Sequence, residues 1–200
     1  MSTVAKDKPK REFILVPEGL HLAICIAIID LGNQHNEFYD KMEPKVYINF
    51  ELPKKTIKID NVEKPMTTGR EYTVSLHEKA NLRKALEGWR GRKFTEEELK
   101  GFDLKKVLGK ACQIQVMHTT KGDKTYANIT SIVPPPEGID IGKPVNELLH
   151  YDMDAANRDE VFAKLAEWIQ NKIKASRSYI EDDTGLVSDG FEPTDDQMPF

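Results

Sequence analysis

Between His21 and Ile132 the apolar residues change their spacing twice, and that double switch restricts the folds open to the chain. Leu22, Ile24, Ile26 and Ile28 alternate with His21, Ala23, Cys25 and Ala27, the period of a β-strand with one covered face. Gly32-Asn33 is expected to end this strand, with a polar loop running on to Pro44. Val46, Ile48, Phe50 and Leu52 then alternate with Lys45, Tyr47, Asn49 and Glu51, a second strand that Pro53 is expected to stop. Ile57 and Ile59 suggest a short extension before the turn residues Asp60-Asn61, and Tyr72, Val74 and Leu76 mark a third strand.

From Ser75 the spacing is helical. Ser75 and Glu78 fit a capping box, Leu82, Leu86 and Trp89 recur on one face, and Gly91 ends the element. Thr95 with Glu98 is a second capping box opening a short helix that Gly101 stops, and Asp103 and Gly109 bracket a further turn. Period two then returns in Cys112, Ile114 and Val116, followed by the hairpin signal Lys121-Gly122-Asp123-Lys124. Ala127, Ile129 and Ile132 form the last strand, which Pro134-Pro135-Pro136 closes. Three strands, a helical insert and two strands is the order of a five-stranded OB-fold-like barrel in a β-rich α+β chain. Beyond the prolines, Asn157 and Glu160 begin a helix whose Val161, Phe162, Leu165, Trp168, Ile169 and Ile173 make one apolar stripe. That stripe packs on the barrel or pairs with a second copy, and a homo-oligomer stays open.

Charge divides the chain unevenly. From Ser178 to Phe200 there are seven acids (Glu181, Asp182, Asp183, Asp189, Glu192, Asp195, Asp196) and no Lys or Arg. Residues 1–177 hold 29 basic against 26 acidic side chains, so a slightly basic body carries an acidic string. Such a string buries too little apolar surface to offset the entropy of ordering it, and disorder is the expectation for 178–200. The expected organisation is therefore a flexible basic arm over 1–11, an OB-like domain over 12–140, a helical segment over 141–177 and the tail. Nothing resembles a signal peptide, and no apolar run is long enough to span a membrane, so a cytoplasmic location is expected. Cys25 and Cys112 sit in strand-like runs as two buried, reduced thiols rather than a disulfide or a zinc site.

The tail ends Asp195-Asp196-Gln197-Met198-Pro199-Phe200. An Asp-Asp-x-x-Pro-Phe terminus resembles the tip of bacterial single-stranded DNA-binding proteins, whose acidic tails end in acids followed by Pro-Phe and are gripped by replication and repair enzymes. By that resemblance Asp195, Asp196, Pro199 and Phe200 are the partner-binding residues, and Gln197 and Met198 depart from the Asp and Ile often found there. The stretch Ser75–Phe94 also resembles one in phage-encoded proteins of the replication region, which implies a phage or prophage source. The implied partners are single-stranded DNA and, through the tail, replication, recombination and repair proteins.

A strand-binding groove needs cations for phosphates and flat side chains for bases. Lys45, Tyr47 and Asn49 share the face of the second strand opposite its core set, and Lys121, Lys124 and Tyr126 cluster in the last hairpin. Arg90, Arg92 and Lys93 follow the helix end, with Lys79, Arg83 and Lys84 along its outer side. Trp89 and Trp168 fit apolar stripes and are expected in the core. Enzymatic chemistry finds little support: there is no phosphate loop, no Gly-x-Ser-x-Gly elbow and no histidine pair at zinc spacing, and no cofactor is implied. Glu96, Glu97 and Glu98 are explained by capping and the helix dipole. Two other classes stay open, an interaction or assembly protein with a protein-binding barrel and a metal-dependent nuclease.

Overall fold

The computed structural model describes residues 14–59, 61–176 and 178–179, so the tail residues Asp195, Asp196, Pro199 and Phe200 lie outside the described part. Its elements are β1 (Gly19–Asn36), β2 (Lys41–Ile59), β3 (Val62–Thr73), α1 (Asn81–Arg90), α2 (Glu96–Lys100), a 3₁₀ turn (Leu104–Val107), β4 (Ala111–Lys121), β5 (Lys124–Val133), β6 (Leu149–Tyr151), α3 (Arg158–Lys164) and α4 (Glu167–Lys174). The five long strands form one curled antiparallel sheet in the order β3-β2-β1-β4-β5, and β6 adds to β1 in parallel. The chain is thus β-rich, with a five-stranded half-barrel and a few short helices. No helix among the described residues is long and apolar enough to cross a membrane.

The strands are longer than their alternation suggests. Gly32-Asn33 does not end β1: the strand bulges between Asp30 and Gly32 and runs on to Asn36. Gly32 fits this place because its φ is +68° and a Cβ there would stand 2.6 Å from Ser176 Oγ. Pro53 does not stop β2 either, because the pairing with β3 shifts register between Leu52 and Thr56 and the proline sits in that irregularity. The third strand begins at Val62 and ends at Thr73, which leaves Val74 outside it and exposed.

A second bulge, between Cys25 and Ala27, changes which residues of β1 face inward. Before it, Ala23 and Cys25 join the main core, and after it Ile28 does. The expected set Leu22, Ile24, Ile26, Ile28 therefore does not form one face. Local backbone bonds accommodate the bulge, Gly109 N–H donating to Cys25 O at 2.8 Å and Cys25 N–H to Lys110 O at 3.0 Å. The opposite face of β1 is covered too: Ala27, Ile29 and Leu31 pack with Tyr151, Val161, Leu165, Ile169 and Ile173. The C-terminal stripe thus docks on the outside of the sheet.

Main-core closure comes from α1, which sets Leu82, Leu86 and Trp89 against Phe50, Ile114 and Ile132. Each such fully buried side chain contributes roughly 1.5–3 kcal/mol of transfer free energy. The Ser75–Glu78 box does not form: Ser75 Oγ accepts from His77 N–H, and α1 starts at Asn81 after an extended Ala80. The Thr95–Glu98 box is present in both directions, and Asp103 accepts from Lys105 N–H to open the 3₁₀ turn. Downstream, the single expected helix is two. Asn157 makes no side-chain cap bond, and the chain breaks at Leu165-Ala166, where Gln170 Nε2 donates to the carbonyls of Phe162 and Leu165. Cys25 and Cys112 are free and buried, and burial holds both thiols protonated, Cys25 being pushed up to about 12.

Candidate nucleic-acid interface

An open-sided cavity of about 720 Å³ runs along the outside of the sheet, lined by Ile14–Val16, Tyr47 of β2, Thr68 and Gly69 of β3, Lys124–Asn128 of β5 and Trp168 of α4. The curl of the sheet is what gathers these elements, since β2 and β5 are separated by two strands in its order. Tyr47, distant in sequence from Tyr126 and Lys124, shares this groove with them. The rings differ in freedom. Tyr126 is 47% exposed, whereas Tyr47 is half-buried and lies against Gly69, whose added Cβ would meet its Cζ and Oη at 2.3 Å. Glu71 is directly opposite Tyr47, so Gly69 is its diagonal neighbour, and a missing side chain there makes room for the ring. Burial, and then the Glu71 charge, pushes the Tyr47 phenol up to about 12, so it stays neutral over the physiological range.

Trp168 completes the wall. Its ring meets Tyr47 edge-on, with centroids 5.2 Å apart at 90°, while half of its surface stays exposed. This corrects the expectation of a core tryptophan: the break before α4 leaves Ile169 and Ile173 facing the sheet and Trp168 at the groove. Trp89 is buried as expected, its Nε1 donating to Ala111 O at 2.9 Å.

The expected cations separate into two groups. Lys121 and Lys124 are exposed, face each other in the β4–β5 register and have no ion-pair partner among the described residues. Like charges directly opposite one another oppose pairing, a cost that a bound anion would relieve. Lys124 lines the groove, and Lys121 stands beside it at the hairpin end. Of the other expected cations, Lys45, Arg90, Arg92 and Lys93 are occupied, and none of the others lines the groove. Arg90 pairs with Glu98 and lies 4.5 Å from the Phe94 ring centroid and 5.2 Å from that of Phe102. Arg92 binds both Glu98 oxygens, at 2.8 and 2.9 Å, and Lys93 reaches Glu87 at 3.0 Å. Lys45 is held by Glu43 at 2.7 Å and Thr73 Oγ1 at 2.6 Å, and Asn49 is not part of the lining.

Sequence reading missed a further aromatic pair. Phe38 and Tyr39, 85% and 64% exposed, stand at the β1–β2 turn with centroids 4.8 Å apart, and Lys41 Nζ lies 5.3 Å from the Tyr39 ring. The available signal was two adjacent aromatics inside an otherwise polar turn. No family model matches the chain, and no curated protein matches it.

Proposed function

We propose that this chain binds single-stranded DNA in the groove of an OB-like barrel and recruits replication, recombination or repair enzymes through its acidic C-terminal tip. The observation that carries the reading is the meeting of Tyr47, Tyr126 and Lys124 in one open groove. Aromatic faces suit bases of any sequence, and a free lysine suits the phosphate chain. The strand order supports the barrel: β1 pairs with both β2 and β4, α1 lies between β3 and β4, and the edges β3 and β5 are drawn together. The groove accepts a flexible strand along its open side, and among the described residues no helix stands free to enter a major groove. The tip Asp195, Asp196, Pro199 and Phe200 would dock by the Phe200 ring in an apolar pocket, with its acids against a basic rim.

Fluorescence anisotropy with labelled oligo-dT and a matched duplex, across a salt series, tests this. Preference for the single strand, weakening as salt rises, is expected; equal affinity for duplex or no binding at low salt overturns it. One observation favours a second reading, a protein-binding barrel: among the described residues Lys124 is the only charged side chain lining the groove. Absence of oligo-dT binding would leave that reading in place.

A further inference from the structure

We propose that Trp168, contributed by a helix outside the barrel, is the principal base-stacking platform of the groove, and that Tyr47 is a positioning residue that holds it. This rests on the single-strand reading above and changes which ring does the stacking. Tyr47 is half-buried, with Gly69 against its ring and the Trp168 ring edge-on at 5.2 Å. A ring so enclosed offers little free face to a base. Trp168 has the complementary situation: half its surface is open to the same groove that Tyr126 and Lys124 line. An unpaired base is the occupant that these features share, because it needs an aromatic face at one point and a cation for its phosphate at another.

The fold also holds the platform in place. Trp168 lies in the first turn of α4, whose Ile169 and Ile173 are buried against the outside of β1. Lys172 of the same helix pairs with Glu71, the residue directly opposite Tyr47, and Gln34 Nε2 of β1 donates to Lys172 O at 3.0 Å. The ring is therefore carried on a docked helix rather than on a mobile loop tip, so little ordering remains to be done on binding.

Trp89 and Trp168 are the chain's two tryptophans, and the first is buried in the main core, so intrinsic emission reports on the groove through the second. Saturating oligo-dT is expected to quench the wild-type emission and to leave the residual emission of Trp168→Phe unchanged. Trp168→Ala is expected to lose roughly 5- to 150-fold in oligo-dT affinity, the range for truncating one stacked contact, with the salt dependence retained because no phosphate contact is removed. Trp168→Phe should keep most of the affinity, since a flat ring is preserved; Tyr47→Ala should weaken both binding and quenching by releasing Trp168, and Tyr47→Phe, which keeps the supporting ring, should restore both. Circular dichroism establishes that each variant is folded; if Trp168→Ala is not, the quenching comparison between wild type and Trp168→Phe decides. Oligo-dT binding without quenching, or quenching that survives in Trp168→Phe, overturns the role of Trp168 and leaves the single-strand reading standing. Failure of the wild-type protein to bind oligo-dT at any salt overturns both.

Discussion

Arg70 Nη1 donates to the carbonyl oxygen of Ile129 at 2.6 Å, and this bond ties β3 to β5, the two edges of the curled sheet. The same guanidinium lies 5.3 Å from the Tyr72 ring centroid, which fixes its direction across the gap. A side chain thus bridges edges that share no ladder, and it does so beside the groove formed by Thr68, Gly69 and Lys124–Asn128.

Arg70→Ala should lower stability by about 1.5–3 kcal/mol, the usual worth of a hydrogen bond involving a charged group. Urea unfolding should show an earlier midpoint, and amide exchange in β5 near Ile129 should quicken. An unchanged midpoint would mean that the edges are held by packing alone.

Glu51 is fully buried on β2, and its carboxylate accepts from Val145 N–H and Asn146 N–H at 2.8 Å and from Asn146 Nδ2 at 2.6 Å. Its place in the alternation with Lys45, Tyr47 and Asn49 suggests a solvent-facing residue, yet the segment after the triple proline covers it. Glu51→Ala should release that segment and cost on the order of 3 kcal/mol, as charge-assisted bonds are lost. Limited proteolysis should then cut within 137–148 well before the rest of the domain, and equal cleavage of both proteins would dismiss the latch.

Lys124→Ala should reduce the slope of log affinity for oligo-dT against log salt by about 0.7, the value for one phosphate contact on a single strand. Arg92→Ala should leave that slope alone, because Arg92 already binds Glu98 through two hydrogen bonds. Equal effects of the two substitutions would place the strand over the end of α1 instead.

Acid should destabilise the fold through three carboxylates. Glu43 is held down to about 2 by hydrogen bonds from Lys45 and Asn36, and Glu98 to about 2 by those from Arg92 and Thr95 N–H. At Glu87 burial opposes ionisation, but bonds from Lys93, Arg83 and Phe94 N–H outweigh it and hold the group at about 2. An unfolded glutamate titrates near 4.3, so between about pH 4.3 and 2 the unfolded chain binds more protons than the folded one. Stability from these groups is complete above that window and is lost as pH falls through it. Asp30, raised by burial, acts in the opposite sense. Urea midpoints measured from pH 6 to pH 2 should fall, and Glu98→Gln should flatten the profile; a profile as steep as wild type would remove Glu98 from the account.

Under the proposed function, removing Phe200 should leave oligo-dT binding nearly unchanged and abolish capture of replication or repair enzymes in a pull-down. A partner pocket would gain roughly 1.5–3 kcal/mol from burying the ring. An identical set of captured proteins with and without Phe200 would mean that the tip resembles the family motif without sharing its work.

Features set by short-range chemistry were legible in the sequence. The Lys121-Gly122-Asp123-Lys124 hairpin, the Thr95–Glu98 box and the apolar face of Leu82, Leu86 and Trp89 appear where their residues indicate. Each depends on bonds or spacings within a few positions, so the local order of residues specifies it. The Tyr47, Tyr126 and Lys124 candidates were legible as residue types, but their meeting was not, because only the curl of the sheet gathers β2 and β5 around one groove. The occupied state of Lys45, Arg90, Arg92 and Lys93 was equally hidden, since partners such as Thr73 and Glu98 are chosen by the fold. Tertiary packing also decided the inward set of β1. Alternation assumes one covered face and an unbroken register, whereas the bulges after Cys25 and Asp30 shift the phase and α3 and α4 cover the second face. Trp168 follows the same logic: helical spacing places it near the apolar stripe, and only the break at Leu165-Ala166 turns half of its ring to the solvent.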